Sequence, residues 1–204
     1  MNGKKTKRIT GIILCAAIMI MVAACGGGSG GTVQTNLTGS AEDVLEQVLA
    51  GVTESGVETP APLPPTAVNA DSSEFAIGLS AADFGRLVES ASFSMAAIGT
   101  FAHQIIVIEA KDPAAAVEVK ALVSSDGGYD AQKWVCVFPD RVIAVDSGKY
   151  VLIAASSNDT VSAAENAFKS AAGNIGTVNT FWEFAGGDEP GDFGGGPGGI
   201  LLVP

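Results

Sequence analysis

The chain of 204 residues is acidic, with a formal net charge of −11, and it is 47% hydrophobic but only 16% charged. This length accommodates one domain of ordinary size, and the apolar fraction is high enough to bury a core, which excludes a wholly disordered chain. The acidic balance excludes nucleic acid as a partner, because binding to phosphates needs a basic face.

The first segment of the chain has the layout of an export leader. Four of the 11 basic residues lie in the first eight positions, no acidic residue precedes Glu42, and residues 11–24 form an apolar run. This run is shorter than the roughly 20 residues that a helix needs to cross a bilayer. A cationic start followed by a short apolar run is typical of a signal peptide, which we predict over residues 1–24.

The end of the apolar run carries a pattern for lipid attachment. It reads Val22-Ala23-Ala24-Cys25, followed by glycines. This pattern resembles the lipobox of bacterial lipoproteins, in which small residues precede an obligatory cysteine. The resemblance implies cleavage by a signal peptidase between Ala24 and Cys25 and a diacylglycerol anchor, with fatty acids such as palmitate, on the Cys25 thiol. It thus implies a protein held on the outer, extracytoplasmic face of the cell membrane; the alternative is a plain secretory signal with a chance cysteine.

After the leader, composition divides the chain into a tether, a domain and a tail. Residues 25–39 consist mostly of Gly, Ser, Thr and Asn, which predicts a flexible tether. Residues 40–173 contain the periodic apolar segments and form the predicted domain. Residues 174–204 are rich in glycine and are predicted to be a low-complexity tail.

The first half of the domain is predicted to contain a helix, a connector and a strand. Ser40 is a typical N-cap, and apolar residues recur at helical spacing from Val44 to Val52. The four prolines in residues 59–66 predict an extended connector. Residues 80–84 favour a short helical turn, and residues 86–97 favour a strand.

The second half begins with a strand and a helix. Residues 104–110 contain an unbroken run of branched apolar side chains, which is typical of a central strand. Asp112-Pro113 predicts the start of a helix, because aspartate caps helices and proline suits their first position. Asp126-Gly127-Gly128 predicts the end of this helix.

Three further apolar stretches, at residues 134–138, 142–145 and 150–155, lead to the last helix. Ser147-Gly148 favours a two-residue hairpin turn between the second and the third stretch. The final helix is predicted from Asn158 or Asp159 to a stop at Gly173.

These elements predict an α+β fold, with a small, mostly antiparallel sheet and helices packed on one face. Antiparallel pairing follows from the tight hairpins. In the tail, residues 177–184 alternate like a strand and include Trp182. We hypothesise that this segment adds to an edge of the sheet or pairs with a partner strand. The alternative is a disordered tail with chance aromatic residues.

Residues 41–172 resemble a family of lipoproteins of Gram-positive bacteria, the domain of unknown function 4358 family. The resemblance is carried by the first Val/Leu helix, by Ile-Ile-Val-Ile-Glu-Ala-Lys-Asp at 105–112 and by the hairpin sequence at 141–156, most closely around Gly148-Lys149-Tyr150-Val151. The second helix is shorter than in the family pattern, and the long Gly-rich tail is unusual. The family has no assigned activity, so the resemblance implies no catalytic residue.

Few side chains in the body suit catalysis or metal binding. His103 is the only histidine, which excludes a metal site built from imidazoles, and no calcium-binding loop pattern is present. We expect a structural hydrogen bond for His103 and a buried apolar position for Cys136 in preference to a catalytic pair. Asp188, Glu189 and Asp192 are expected to be solvated. The sequence therefore predicts no catalytic residue, no metal and no cofactor.

Two function classes remain. The first is a non-enzymatic surface lipoprotein that binds a protein, a peptide or a cell-wall polymer, in addition to the membrane that holds its lipid. The second is a cell-envelope hydrolase of an unrecognised type. The sequence offers no evident nucleophile and base in one motif, which favours the first class. A pocket with two facing carboxylates would favour the second.

Overall fold

The computed structural model describes residues 33–184, which form a six-stranded sheet covered by helices. The strands are β1 (Thr66–Ala67), β2 (Val88–Met95), β3 (Gln104–Ala110), β4 (Arg141–Ser147), β5 (Tyr150–Ser156) and β6 (Asn179–Glu183). The helices are α1 (Ala41–Glu54), α2 (Ser73–Ile77), α3 (Ala81–Leu87), α4 (Pro113–Val123) and α5 (Asn158–Ala172). The strand order is β1-β2-β3-β5-β4-β6, and each of these neighbouring pairs is antiparallel. The predicted α+β class with a mostly antiparallel sheet is therefore confirmed.

The helices pack on both faces of the sheet, so the prediction of helices on one face is wrong. On β3, Ile105 and Val107 belong to a buried cluster with α1 and α5. Ile106 and Ile108 belong to a second cluster with α2, α3 and α4. Alternate residues of a strand point to opposite faces, so the two clusters lie on opposite faces. The physical reason is the unbroken apolar run of β3, which needs cover on both sides.

The helix boundaries follow from their capping residues, as predicted. Ser40 and Asp43 form a reciprocal capping box at the start of α1. The Asp112 side chain accepts a hydrogen bond from the Ala115 backbone N–H at 2.8 Å, with Pro113 in the first turn of α4. Gly173 ends α5 with a φ of +78°, a backbone conformation that glycine adopts without strain.

The β4–β5 hairpin is present, with its turn one residue later than predicted. Ser147 pairs with Tyr150, so Gly148 and Lys149 form the two-residue turn. Gly148 has a φ of +56°, as such hairpin turns require at their central positions.

Residues 134–138 form a loop, although their composition suggests an apolar stretch like the strands that follow. Cys136 has a φ of +63° and is exposed, which corrects the expectation of a buried cysteine. This stretch cannot pair with the adjacent strand β4, because β4 already pairs with β5 on one side and β6 on the other. Its apolar side chains therefore remain in a connection at the surface.

Both edges of the sheet are made by segments whose composition is that of a connector or a tail. The proline-rich connector leads into β1, and the Leu63 N–H donates to the Met95 carbonyl at 2.7 Å. Proline is tolerated at an edge because one side of the strand needs no ladder donors. At the other edge β6 pairs with β4, with Trp182 opposite Val142. The hypothesis that residues 177–184 add to an edge is confirmed, and the alternative of a disordered tail is wrong for them.

The packed body extends beyond the predicted limits of residues 40 and 173. In the predicted tether, Leu37 is buried and the Asn36 N–H donates to the Ala172 carbonyl at 2.9 Å. In the predicted tail, Ile175 and Val178 pack against the cluster of α1 and α5. The few apolar side chains in these polar segments account for the packing, since each joins or packs against the cluster of α1 and α5.

The predicted leader, the Ala24–Cys25 cleavage site and residues 185–204 lie outside the described residues. Among residues 33–184, none of the helices has the length and apolar character needed to cross a bilayer.

Candidate functional site

The two ends of the sheet differ in what lies on them. At one end, which we call the hairpin end, the Gly148 N–H donates to the Val33 carbonyl at 3.0 Å and the Tyr150 hydroxyl donates to the Gly39 carbonyl at 2.7 Å. The chain therefore joins the domain there. The opposite end, which we call the loop end, carries the loops at 96–103 and 124–140. Strands of this length separate the two ends by about 20 Å.

Strand register brings these loops together at the loop end. Met95 at the end of β2 pairs with Gln104 at the start of β3. Gln104 pairs with Ala155 near the end of β5, and Ala155 pairs with Val142 near the start of β4. The chain segments that follow β2 and β5 and precede β4 must therefore lie side by side.

Large apolar side chains are exposed at the loop end. Val135 is 81% exposed, Phe101 50% and Phe138 42%. The others in the loops and strand ends there are Leu63, Ile98 and Phe184. An exposed apolar surface of this kind marks a place where proteins contact partners or ligands.

A cleft of about 460 Å³ opens among these side chains. Its walls come from four parts of the chain: the connector before β1, the β2–β3 loop, the segment before β4 and the junction between β5 and α5. The lining residues are Glu58, Thr59, Pro60, Thr100, Phe101, Ala102, Val137, Phe138, Asp140, Ser156 and Ser157. This volume lies within the range of small-ligand pockets, and the mixture of aromatic and polar lining is typical of them.

The docked strand β6 supports one wall of the cleft. The Phe138 ring stacks on Phe184 with 5.8 Å between centroids and lies 6.2 Å from Trp182. The Trp182 indole N–H donates to the Pro139 carbonyl at 3.0 Å. The segment predicted as a tail thus holds the aromatic wall in position.

A histidine and a serine meet beneath the cleft. His103 Nδ1 and Ser156 Oγ lie 3.0 Å apart, and each residue is only 2% exposed. Burial lowers the pKa of His103, which favours the neutral imidazole. The expectation of a hydrogen-bonded His103 is confirmed. Ser156 was not singled out from the sequence, because nothing in its local context distinguishes it from the other serines.

A half-buried lysine holds the 124–140 loop against α2. The Lys133 ammonium lies 4.0 Å from the centroid of the Tyr129 ring and donates to the Ala76 carbonyl at 3.1 Å. Tyr129 in turn donates to the Gln104 side chain at 2.7 Å. Burial lowers the pKa of Lys133 to about 7. This network fixes the loop that supplies Phe138 to the cleft.

The remaining predicted site residues do not form a centre. Cys136 is exposed on its loop. Among residues 33–184, no group of three or more His, Cys, Asp or Glu side chains is placed to hold a metal ion. Cys25 lies outside the described residues.

Comparison of the chain with protein-family models, with curated proteins and with solved structures gives no match.

Proposed function

We propose that the protein is an extracytoplasmic lipoprotein, anchored through Cys25, that binds a partner at its loop end without catalysing a reaction. The observation that carries this proposal is the separation of the two ends. The chain joins the domain at the hairpin end, and the exposed apolar side chains and the cleft lie at the other. An anchor upstream of Val33 would leave the loop end directed away from the membrane.

Membership of the domain of unknown function 4358 family is part of the same proposal. It is supported by the sequence resemblance of residues 41–172, which includes the β4–β5 hairpin. That family resemblance supplies the Gram-positive cell surface as the location and leaves the partner open.

The anchor is tested by replacing its cysteine. Cys25→Ser should abolish incorporation of labelled fatty acid and cleavage after Ala24, because the hydroxyl does not replace the thiol as lipid acceptor. Cys136→Ser is the matched control, since that thiol is exposed in the body and should leave labelling unchanged. Lipid labelling that survives Cys25→Ser would refute the anchor.

Binding at the loop end is tested by photo-crosslinking on intact cells. Benzoylphenylalanine at Val135, in the exposed apolar surface, should give defined adducts with an envelope component. The same probe at Lys169, which is exposed on α5, should give none. Equal adducts from both positions, or none from Val135, would contradict a binding role for the loop end.

The second candidate, a cell-envelope hydrolase, is favoured by one observation. Ser156 Oγ and His103 Nδ1 are within hydrogen-bond distance, and Ser156 lines the cleft, so a nucleophile and a base are adjacent. Against it, both residues are buried, and among residues 33–184 no carboxylate is hydrogen-bonded to His103. Labelling with a fluorophosphonate probe decides between the two candidates. We expect no labelling of the wild type. Labelling of the wild type that is lost in Ser156→Ala would establish the hydrolase.

A further inference from the structure

We propose that the cleft at the loop end takes a basic, apolar peptide segment, in which a lysine or arginine lies next to an aromatic or aliphatic residue. This proposal rests on the binding function proposed above and names the chemistry of the partner. It follows from the charge, the aromatic surface and the hydroxyl groups of the cleft.

The charge of the cleft is negative. Glu58 and Asp140 lie on its lining, which contains no lysine or arginine. Within residues 33–184, the carboxylates in ion pairs are Asp83, Glu109, Glu118 and Asp146, so neither cleft carboxylate is paired with a cation. Asp140 accepts one long hydrogen bond, 3.3 Å from the Asn158 backbone N–H. The cleft therefore complements a cationic ligand.

The basic residues that flank the cleft in sequence are engaged elsewhere. Lys133 donates to the carbonyls of Phe75 and Ala76, away from the lining. Arg141 donates to the Ser162 hydroxyl on α5 at 2.8 Å. Neither side chain therefore supplies the counter-charge for Glu58 and Asp140, and a partner can supply it.

The aromatic surface of the cleft favours the same partner. Phe101 and Phe138 are half exposed and line the cleft together with Pro60 and Val137. Such rings bury apolar side chains, and their faces attract ammonium and guanidinium groups. A segment with one apolar and one basic side chain can bury the first against the rings and place the charge of the second near their faces.

Hydroxyl groups in the lining suit a peptide backbone. Thr59 and Thr100 lie on the lining, and a threonine hydroxyl can both donate and accept a hydrogen bond. A peptide offers N–H and C=O groups in alternation along its length. A purely apolar partner such as a lipid chain would leave these hydroxyls without bonds.

The test compares two labelled peptides by fluorescence anisotropy with the full-length protein in detergent micelles. The peptides are Gly-Lys-Phe-Leu-Lys-Gly and Gly-Glu-Phe-Leu-Glu-Gly, which differ only in charge. We expect the basic peptide to bind at least tenfold more tightly, with an affinity that falls as salt rises from 50 to 300 mM because exposed charges are screened. Equal affinities, or binding of neither peptide, would overturn the proposal.

Substitutions in the protein test whether the basic peptide binds in the cleft. Glu58→Gln and Asp140→Asn should each weaken the basic peptide about threefold, the effect of one exposed ion pair. Glu89→Gln, an exposed carboxylate at the hairpin end, is the matched control and should have no effect. Phe101→Ala should weaken both peptides. Unchanged affinity in both carboxylate variants would refute the cleft as the site.

Two outcomes separate this inference from the proposed function. Crosslinking at Val135 combined with equal affinities for the two peptides would refute the basic partner and leave the binding role intact. A chain that begins at Gly26 carries neither the leader nor the lipid anchor. If it binds phosphatidylcholine vesicles in preference to the basic peptide, the apolar surface is assigned to lipid and the peptide proposal is overturned. Absence of both crosslinks and peptide binding would refute both proposals.

Discussion

The hairpin end and the loop end of the same sheet are built in opposite ways. At the hairpin end, Lys149 pairs with Glu109 and Lys120 pairs with the buried Asp146. The segment that joins the domain is tied to the turn by the Gly148–Val33 hydrogen bond. At the loop end, large apolar side chains and two carboxylates face solvent without such partners among the described residues. The hairpin end thus pairs its charged groups within the domain, whereas the loop end leaves apolar side chains and two carboxylates exposed, which is the basis of the binding role proposed above.

The largest effect is expected at the hairpin end, from Asp146→Ala. Lys120 Nζ lies 2.5 Å from Asp146 Oδ1 and 3.0 Å from the Thr177 carbonyl, and both side chains of the pair are nearly buried. Removing the carboxylate leaves a buried cation without its counter-charge, so we expect a loss of about 3 kcal/mol in the free energy of unfolding. Urea denaturation measures this loss of stability. The double variant Lys120→Met/Asp146→Ala should recover most of the loss, and a single-variant loss below about 1 kcal/mol would show that the pair is dispensable.

The second effect is a pH dependence from Lys133 beneath the loop end. Its folded pKa of about 7 lies below the unfolded value of 10.5, so between these pH values the unfolded state binds more protons. Stability must therefore rise with pH across this window, by about 2 kcal/mol between pH 7 and pH 9. Urea denaturation at the two pH values checks this. Lys133→Met should remove the rise, and a rise that persists in that variant would assign it to another group.

An effect of similar size is expected from Gly148→Ala in the hairpin turn. The φ of +56° disfavours a side chain, and an added Cβ would contact Thr35. We expect a loss of about 2 kcal/mol in thermal or urea unfolding. Gly127→Ala is the control, because it has a φ of +80° but open space around it, and should cost about 1 kcal/mol. Equal losses of stability in the two variants would mean that Thr35 moves aside without a free-energy cost.

The smallest effect on stability is expected at the loop end, from Val135→Ser and Phe101→Ser. Val135 is largely exposed and Phe101 is half exposed, so each change should alter the free energy of unfolding by less than about 0.5 kcal/mol. The same variants should lower the binding of the dye 8-anilinonaphthalene-1-sulfonate, which reports exposed apolar surface. A loss of stability above about 1 kcal/mol would show that these side chains hold the fold.

Local sequence was sufficient for the elements whose boundaries depend on neighbouring residues. Ser40, Asp112-Pro113 and Gly173 mark helix ends because capping and backbone conformation involve only a few adjacent positions. The strand at 104–110 and the β4–β5 hairpin were predictable for the same reason. The apolar character of residues 134–138 was equally visible, but composition alone did not reveal that both sides of the adjacent strand β4 would be occupied.

The sequence by itself determined the acidic balance, the α+β class, the capped helices and a pattern that favours a lipid anchor. The tertiary structure alone decided that helices pack on both faces of the sheet, that β6 lies at its edge and that a cleft forms at the loop end. Glu58, Phe101, Asp140 and Ser156 lie far apart in the chain, and no local pattern joins them. They meet because hydrogen-bonded register aligns the ends of β2, β3, β4 and β5, and register is set by pairing between distant segments.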